Sequence, residues 1–170
     1  AVEKFHAKAG AAVVLDVHTG EVLALTNWPT YNPNDRSRLT GEQLRNRVIT
    51  DTFEPGSTLK PFTVALALDK GLIKPTTLFD TGNGRYQTGG HTIRDTHPHG
   101  VIDVTTIIQK SSNIGTTKIS ELLSAQEMWE MFTKVGFGQA PRYGFPGAAA
   151  GRVRPYKSWP IVAKANMSFG

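Results

Sequence analysis

Two short apolar runs near the start of the chain predict a β-hairpin. Residues 11–17 and 22–27 are rich in β-prone residues, and Gly20 between them can adopt the positive φ of a tight turn. The first run is almost continuous in apolar residues, so we expect its strand to lie in a sheet covered on both faces. Residues 28–37 contain two prolines and two asparagines, which predicts a loop.

Capping patterns predict helices farther along the chain. Residues 40–43 have capping-box spacing and open a short helix that we expect to run to about Val48. A Pro-Gly pair precedes residues 57–70 and Gly71 follows them, which brackets a second helix. Residues 124–127 repeat the capping box and predict a third helix.

Helical periodicity is absent from the Gly-, Thr- and His-rich residues 80–100 and resumes over residues 101–108. Residues 136–160 are rich in Gly, Pro and Arg, which predicts a long loop. A hairpin followed by a mostly helical block favours an α+β fold over an alternating βαβ arrangement.

Composition narrows the possible functions without choosing among them. The 170 residues carry a formal net charge of +5 and contain no cysteine. The absence of cysteine excludes disulfides, thiolate metal sites and a cysteine nucleophile. The basic residues are spread out, and for the densest cluster, residues 45–47, we expect structural ion pairs on a helix. Nucleic acid is therefore not expected as a partner, and no apolar stretch is long enough to cross a bilayer.

The strongest candidate for chemistry is the pair Ser57 and Lys60. Residues three apart at a helix start share one face, so the hydroxyl and the amine are expected to lie close together. A serine hydroxyl needs a nearby base to act as a nucleophile, and a lysine can serve when burial lowers its pKa. The spacing alone is weak, because eight Ser and ten Lys give about one half such pair by chance.

A second candidate is the segment Lys110-Ser111-Ser112-Asn113 between two helical stretches. In a turn, Ser111 and Asn113 could point into one cleft. The hydroxyl could then relay a proton between Lys60 and a leaving group. The amide could hold Lys60 and accept a substrate backbone N–H. The alternative is that both are ordinary loop and cap residues.

The stretch from Glu54 to Phe62, Glu-Pro-Gly-Ser-Thr-Leu-Lys-Pro-Phe, resembles class B penicillin-binding proteins. The stretch from Leu44 to Asp51 resembles their cell-division (septal) branch, and so do residues 20–25, 31–34, 80–84 and 92–95. The resemblance implies a penicillin-binding protein/serine β-lactamase-like transpeptidase domain. It would comprise a helical subdomain and the first strands of the sheet.

The resemblance also implies roles for the matching residues. Ser57 would be the acylated nucleophile, Lys60 the general base, Ser111 a proton shuttle and Asn113 a substrate contact. The family's oxyanion hole would use the Ser57 N–H and a second N–H from a Lys-Thr-Gly strand. No metal or organic cofactor is implied.

The implied activity is that of a septal peptidoglycan D,D-transpeptidase. Its partners would be stem peptides ending in D-Ala-D-Ala, β-lactam antibiotics, and a division glycosyltransferase with other division proteins. Its location would be the outer side of the bacterial cytoplasmic membrane, with an N-terminal anchor.

One family motif is absent, because no Lys-Thr-Gly or Lys-Ser-Gly occurs in the sequence. We therefore expect residues 1–170 to be a partial transpeptidase domain without that strand region, the pedestal domain or the membrane anchor. Alone it should be inactive or nearly so.

Other interpretations stay open at this point. A β-lactamase or β-lactam sensor of the same fold shares Ser-x-x-Lys, although residues 136–160 contain no Asp or Glu to activate a deacylating water. A non-catalytic interaction module is a further alternative. His91, Asp95, His97 and His99 suggest a metal site, but in a Gly- and Thr-rich loop solvated side chains are the favoured interpretation.

Overall fold

The computed structural model describes residues 1–35, 37–142 and 144–170, so Arg36 and Tyr143, in the two predicted loops, lie outside it. The described residues form two compact units. The first comprises residues 1–53 and 139–151, and the second comprises residues 54–138 and 152–170. The prediction of one partial domain over residues 1–170 stays a prediction.

The predicted hairpin is confirmed in the first unit. Strands β1 (Gly10–Leu15) and β2 (Val22–Trp28) pair antiparallel, with a register shift between Val14 and Leu15 next to the turn. The Asp16 carboxylate accepts hydrogen bonds of 2.8 Å from the N–H groups of His18 and Thr19. Such a side-chain bond to the backbone two or three residues on stabilises a tight turn.

The prediction that β1 is covered on both faces is wrong for this structure. The side chains of Val13, Val14 and Leu15 are between 45% and 52% exposed. Of the described elements, β2 is the strand that pairs with β1, and the helix that packs on the hairpin has only four residues. A helix of four residues offers too little apolar surface to cover a two-stranded hairpin.

The helix predicted from residue 40 to about Val48 is divided into α1 (Gly41–Leu44) and α2 (Arg47–Thr50), and its capping box is present. The predicted ion pairs of the basic cluster are confirmed. Arg45 and Arg47 both contact the Asp51 carboxylate, at 2.6 and 3.1 Å. Arg47 also pairs with Glu42.

The second unit holds the remaining helices and strands. In chain order these are a 3-10 turn (Gly56–Leu59), α3 (Lys60–Asp69), β3 (Leu78–Asp80), β4 (Arg85–Thr88), β5 (His91–Arg94), β6 (Val101–Asp103), α4 (Val104–Lys110), α5 (Asn113–Glu121), α6 (Ala125–Lys134), a second 3-10 turn (Tyr156–Ser158) and α7 (Ile161–Phe169). Strand β3 pairs with β6, and β4 pairs with β5.

The helix predicted over residues 57–70 is confirmed, although its first turn is 3-10. Pro61 lies at the start of α3, where its missing N–H leaves no hydrogen bond unmade, and Gly71 follows the helix end with φ +67°. The periodicity over 101–108 was partly misleading, because Val101 lies in β6 and the helix begins at Val104. The capping box at Ser124 is confirmed and opens α6.

The core of the second unit lies among its helices. Its buried apolar side chains come from the first 3-10 turn, from α3 to α6 and from the segments between them: Leu59, Val64, Ala67, Ile73, Val104, Ile107, Ile119, Leu123, Met128 and Phe132. Helices α4 and α5 approach closely at Gly115, where a Cβ would stand 2.5 Å from the Ile107 side chain. This packing fixes the relative position of the two helices that flank residues 111–112.

Helix α7 was not predicted from the sequence. It packs on α5, on α3 and on the first 3-10 turn. The Thr63 hydroxyl donates a 2.9 Å hydrogen bond to the Ser168 carbonyl oxygen, and both residues are buried. Among the described helices, none has the length and apolar character to span a membrane.

Candidate active site

Ser57 and Lys60 lie one turn apart at the junction of the 3-10 turn and α3, as the spacing predicted. The Lys60 Nζ is 2.9 Å from the Ser57 Oγ. Gly56 precedes the serine with φ +57°, a conformation that other residues rarely adopt, and this geometry starts the turn that presents Ser57. The Ser57 residue is exposed whereas Lys60 is only 2% exposed. The serine is thus open to solvent, and its partner lysine is shielded from it.

Three oxygen atoms surround the Lys60 amine. In addition to Ser57, the Nζ donates to the carbonyl oxygen of Ser111 at 2.6 Å and to the Ser111 hydroxyl at 2.7 Å. An ammonium group has three donors, so each has one acceptor. Burial lowers the pKa of the Lys60 ammonium because the charged form loses hydration, while the negative charge of Asp95 partly raises it.

Ser111 ends α4 in a left-handed backbone conformation, with φ 56° and ψ 43°. Few residues other than glycine adopt this region, and the strain of about 1–2 kcal/mol persists only where the surroundings enforce it. The conformation allows the carbonyl oxygen and the hydroxyl of one residue to contact the same Nζ. The structure therefore brings Ser57, Lys60 and Ser111 together.

Asn113 is the first residue of α5, and its side-chain amide bonds to the end of β5. Its Nδ2 donates a 3.0 Å hydrogen bond to the Arg94 carbonyl oxygen at the end of β5. Within the described residues, no hydrogen bond joins Asn113 to Lys60, so the amide does not hold the lysine as we expected. With one of its two N–H donors engaged, the amide keeps its oxygen and its second N–H for a ligand.

Asp95 was not assigned a role in this site from the sequence. Its carboxylate accepts hydrogen bonds from the Ser112 hydroxyl and the Asn113 N–H, both at 2.6 Å, and from the Ile114 N–H at 3.0 Å. Residues 92–95 carried part of the family resemblance, which was the one available clue. The segments that meet are 17 to 19 residues apart, so no local spacing reveals the contact.

The metal hypothesis gains no support from the geometry. No group of three or more potential ligands suited to a metal ion forms within the described ranges. The carboxylate of Asp95, one of the four residues of that hypothesis, is engaged by the start of α5 instead.

Comparisons with known proteins agree with this geometry. The family model of the penicillin binding protein transpeptidase domain matches residues 10–170 of the chain. The chain is 48% identical over 170 residues to the "Probable peptidoglycan D,D-transpeptidase PenA" of Neisseria flavescens, covering 100% of this chain and 42% of the relative. It is 38% identical over 164 residues to the peptidoglycan D,D-transpeptidase FtsI of Escherichia coli K12, covering 96% of this chain and 28% of the relative. The chain thus spans less than half the length of these relatives.

Solved structures show the same likeness, which confirms the predicted fold class. The transpeptidase domain of Burkholderia pseudomallei penicillin-binding protein 3 superposes with a TM-score of 0.88 at 54% identity, covering 99% of this chain and 46% of that one. A peptidoglycan glycosyltransferase from Burkholderia ambifaria superposes with a TM-score of 0.89 at 56% identity, covering 99% and 49%. The chain belongs to the family of penicillin-binding protein transpeptidase domains.

Proposed function

We propose that the protein containing this chain is a septal peptidoglycan D,D-transpeptidase, and that Ser57 is the residue acylated by stem peptides and by β-lactams. One observation supports this most strongly. The amine of the buried Lys60 lies 2.9 Å from the hydroxyl of the exposed Ser57 and 2.7 Å from the Ser111 hydroxyl. This is the spacing that proton transfer requires of a nucleophile and its base.

In the acylation step, the Ser57 oxygen attacks the carbonyl carbon of the penultimate D-Ala while its proton passes to Lys60. The negative charge that develops on the carbonyl oxygen is stabilised by the Ser57 N–H, which lies in the first helical turn and has no intrahelical acceptor. A second N–H would come from the Lys-Thr-Gly strand that the family uses. Lys60 must be neutral to accept the proton, and its burial favours the neutral form.

The tetrahedral intermediate collapses when the carbon–nitrogen bond to the terminal D-Ala breaks. The proton held by Lys60 reaches the leaving nitrogen through the Ser111 hydroxyl, so that D-Ala departs as a neutral amine. An amine from a neighbouring stem peptide then attacks the Ser57 ester, forms the cross-link and returns a proton to the Ser57 oxygen. A β-lactam follows the first half of this path, but its ring nitrogen stays attached to the acyl group.

Asn113 would bind the substrate through its amide oxygen. The Arg94 carbonyl accepts from one N–H of the amide, which fixes the orientation of the side chain. The remaining oxygen can accept a backbone N–H from the stem peptide. The substrate lies outside the cytoplasmic membrane, so this domain would work there, together with a division glycosyltransferase and other division proteins.

The test is acylation of the full-length gene product by benzylpenicillin. We expect the intact mass to rise by one penicillin, with the modification mapped to the peptide that contains Ser57. The variant Ser57→Ala should remain unmodified. The matched control Thr58→Ala, which removes the exposed neighbouring hydroxyl, should be modified like the wild type. An unmodified Ser57 in the wild-type protein would contradict the proposal.

Two further measurements separate this function from its alternatives. A β-lactamase would turn over nitrocefin rapidly, whereas a transpeptidase should give one stable acyl group per molecule. An interaction module would support cell division without its nucleophile. We therefore expect cells whose only copy carries Ser57→Ala to fail to divide.

A further inference from the structure

The end of β5 holds the segment that contains Ser111 by four hydrogen bonds. Three of them end on the Asp95 carboxylate, from the Ser112 hydroxyl and from the N–H groups of Asn113 and Ile114. The fourth joins the Asn113 amide to the Arg94 carbonyl oxygen. We call Arg94 and Asp95 the β5 clamp.

Asp95 of the clamp accepts from backbone N–H groups that would otherwise have no acceptor. The first N–H groups of α5 have no partner within the helix. A carboxylate is the strongest acceptor that a protein can offer to them, and bonds to an ionised acceptor are short, as the two 2.6 Å distances show. Ser112 completes the arrangement, because its hydroxyl also accepts from the Gly115 N–H at 2.8 Å.

Ser111 lies directly between α4 and this clamped segment. It has a left-handed backbone conformation, and it contacts Lys60 through two oxygens. A strained residue needs surroundings that enforce its geometry. On one side this is the end of α4, and on the other it is Ser112, which Asp95 holds.

We propose that Asp95 is a positioning residue for acylation, whose carboxylate holds the segment from Ser111 to Asn113 where Ser111 can contact Lys60. This inference rests on the proposed function of Ser57 and Lys60. It adds to that function a residue that contacts neither the nucleophile nor the substrate.

The negative charge of Asp95 gives this role a measurable signature. Lys60 is contacted by the uncharged groups of Ser57 and Ser111, and Asp95 is the anion that raises its pKa against the effect of burial. The cations on the neighbouring elements, Arg94 on β5 and Lys110 on α4, are exposed to solvent. Removing the carboxylate charge should therefore make Lys60 easier to deprotonate.

The experiment measures the rate constant for acylation of the full-length gene product by nitrocefin, in the wild type and in Asp95→Asn, across the neutral and alkaline pH range. Asn keeps the size of Asp, but its amide nitrogen cannot accept the Ser112 proton. We expect the plateau of the rate to fall by about 10- to 100-fold, since a misplacement of about 1 Å is enough for such a loss. On the acid side of the pH profile the rate falls because Lys60 becomes protonated. This part of the profile, the acid limb, should move to lower pH.

The control is Asp80→Asn, the same chemical change on β3, where the carboxylate accepts only from the Gly82 N–H in the described structure. It should leave both the plateau and the limb as in the wild type. An unchanged plateau in Asp95→Asn would overturn the proposal. A lower plateau with an unmoved limb would also overturn it, because it would show a merely structural role.

A second variant keeps the test decisive if Asp95→Asn does not fold. Ser112→Ala removes one of the three bonds to Asp95 but leaves the charge, so we expect a several-fold lower plateau and an unmoved limb. A plateau equal to the wild type would overturn the proposal. If the wild-type protein is not acylated at Ser57 at all, it is the proposed function that fails, which is a different result.

Discussion

The two units of this chain differ in how they use apolar residues. In the first unit, β1 exposes about half of the surface of Val13, Val14 and Leu15. In the second, ten apolar residues are buried in one cluster, and every residue of the candidate site belongs to this unit. A buried lysine requires rigid surroundings, because its few acceptors must stay within hydrogen-bond distance. The candidate site therefore lies in the unit whose apolar residues form a buried core.

The largest expected effect is on chemistry in the second unit. Lys60→Met should lower the rate of acylation by penicillin by about 10²- to 10⁴-fold, because the proposed general base is lost. The fold should survive, since an apolar residue of similar volume in place of a buried charge is often neutral or stabilising. The control is Lys8→Met, at an exposed lysine of the first unit, which should keep the wild-type rate. A K60M protein that is acylated normally would remove Lys60 from the mechanism.

The next effect compares the two units by the same substitution. Leu123 is 2% exposed in the core, whereas Leu15 on β1 is 52% exposed. Leu123→Ala should reduce the free energy of unfolding by about 2–5 kcal/mol. Leu15→Ala should reduce it by less than about 1 kcal/mol. Urea unfolding of the full-length gene product measures both. Equal losses of unfolding free energy would show that β1 is covered in the full-length gene product, and would contradict the difference in burial between the two units.

A smaller effect is expected from the glycines. At Gly115 a Cβ would overlap Ile107, whereas at Gly41 in the first unit nothing lies within 4 Å. Gly115→Ala should cost about 1–3 kcal/mol of unfolding free energy and slow acylation, because it pushes α5 away from α4. Gly41→Ala should be neutral or slightly stabilising. Thermal unfolding and the acylation rate measure both, and similar results for the two variants would contradict the close packing.

The smallest effect concerns the two capping boxes. In the second unit Glu127 caps α6 and pairs with Lys70 at 2.6 Å, and the hydrogen bond from Lys70 is the first reason why the Glu127 pKa falls to about 2. Glu127→Gln gives α6 a capping box with an uncharged glutamine, as in α1. It should lower the free energy of unfolding by about 1 kcal/mol at neutral pH.

The pH dependence of this cost has a defined sign. A carboxyl group with a lowered folded-state pKa stabilises the fold above its ordinary pKa, and this contribution disappears as the pH falls through the folded-state value. The difference between wild type and E127Q should therefore be constant near neutrality and shrink as the pH approaches about 2. A difference that does not depend on pH, measured by urea unfolding, would contradict the role of the charge.

Local spacing was sufficient to predict part of the site. Ser57 and Lys60 are one turn apart on a helix that a Pro-Gly pair and Gly71 bracket, and helical geometry alone brings the two side chains together. The capping boxes and the hairpin were predictable for the same reason. Each is a pattern within a few residues that has one favoured geometry.

Features that depend on distant segments were not predictable. The bond from Asp95 to Ser112 joins the end of β5 to the start of α5. The orientation of Asn113 is decided by the Arg94 carbonyl, a backbone group with no sequence pattern of its own. The exposure of β1 depends on what covers a strand rather than on the strand itself. The apolar run predicted the strand correctly but gave no information about its burial.

The three oxygens around the Lys60 amine have a consequence for how the site responds to loss of a proton. A neutral amine has two hydrogens and one lone pair, so one of the three oxygens must change from acceptor to donor. The Ser111 carbonyl has no hydrogen to give, so the change falls to the hydroxyl of Ser57 or of Ser111. Deprotonation of the lysine thus by itself turns a serine O–H toward the nitrogen. In the proposed mechanism, one of these two hydroxyls is therefore already oriented toward the base before any ligand binds.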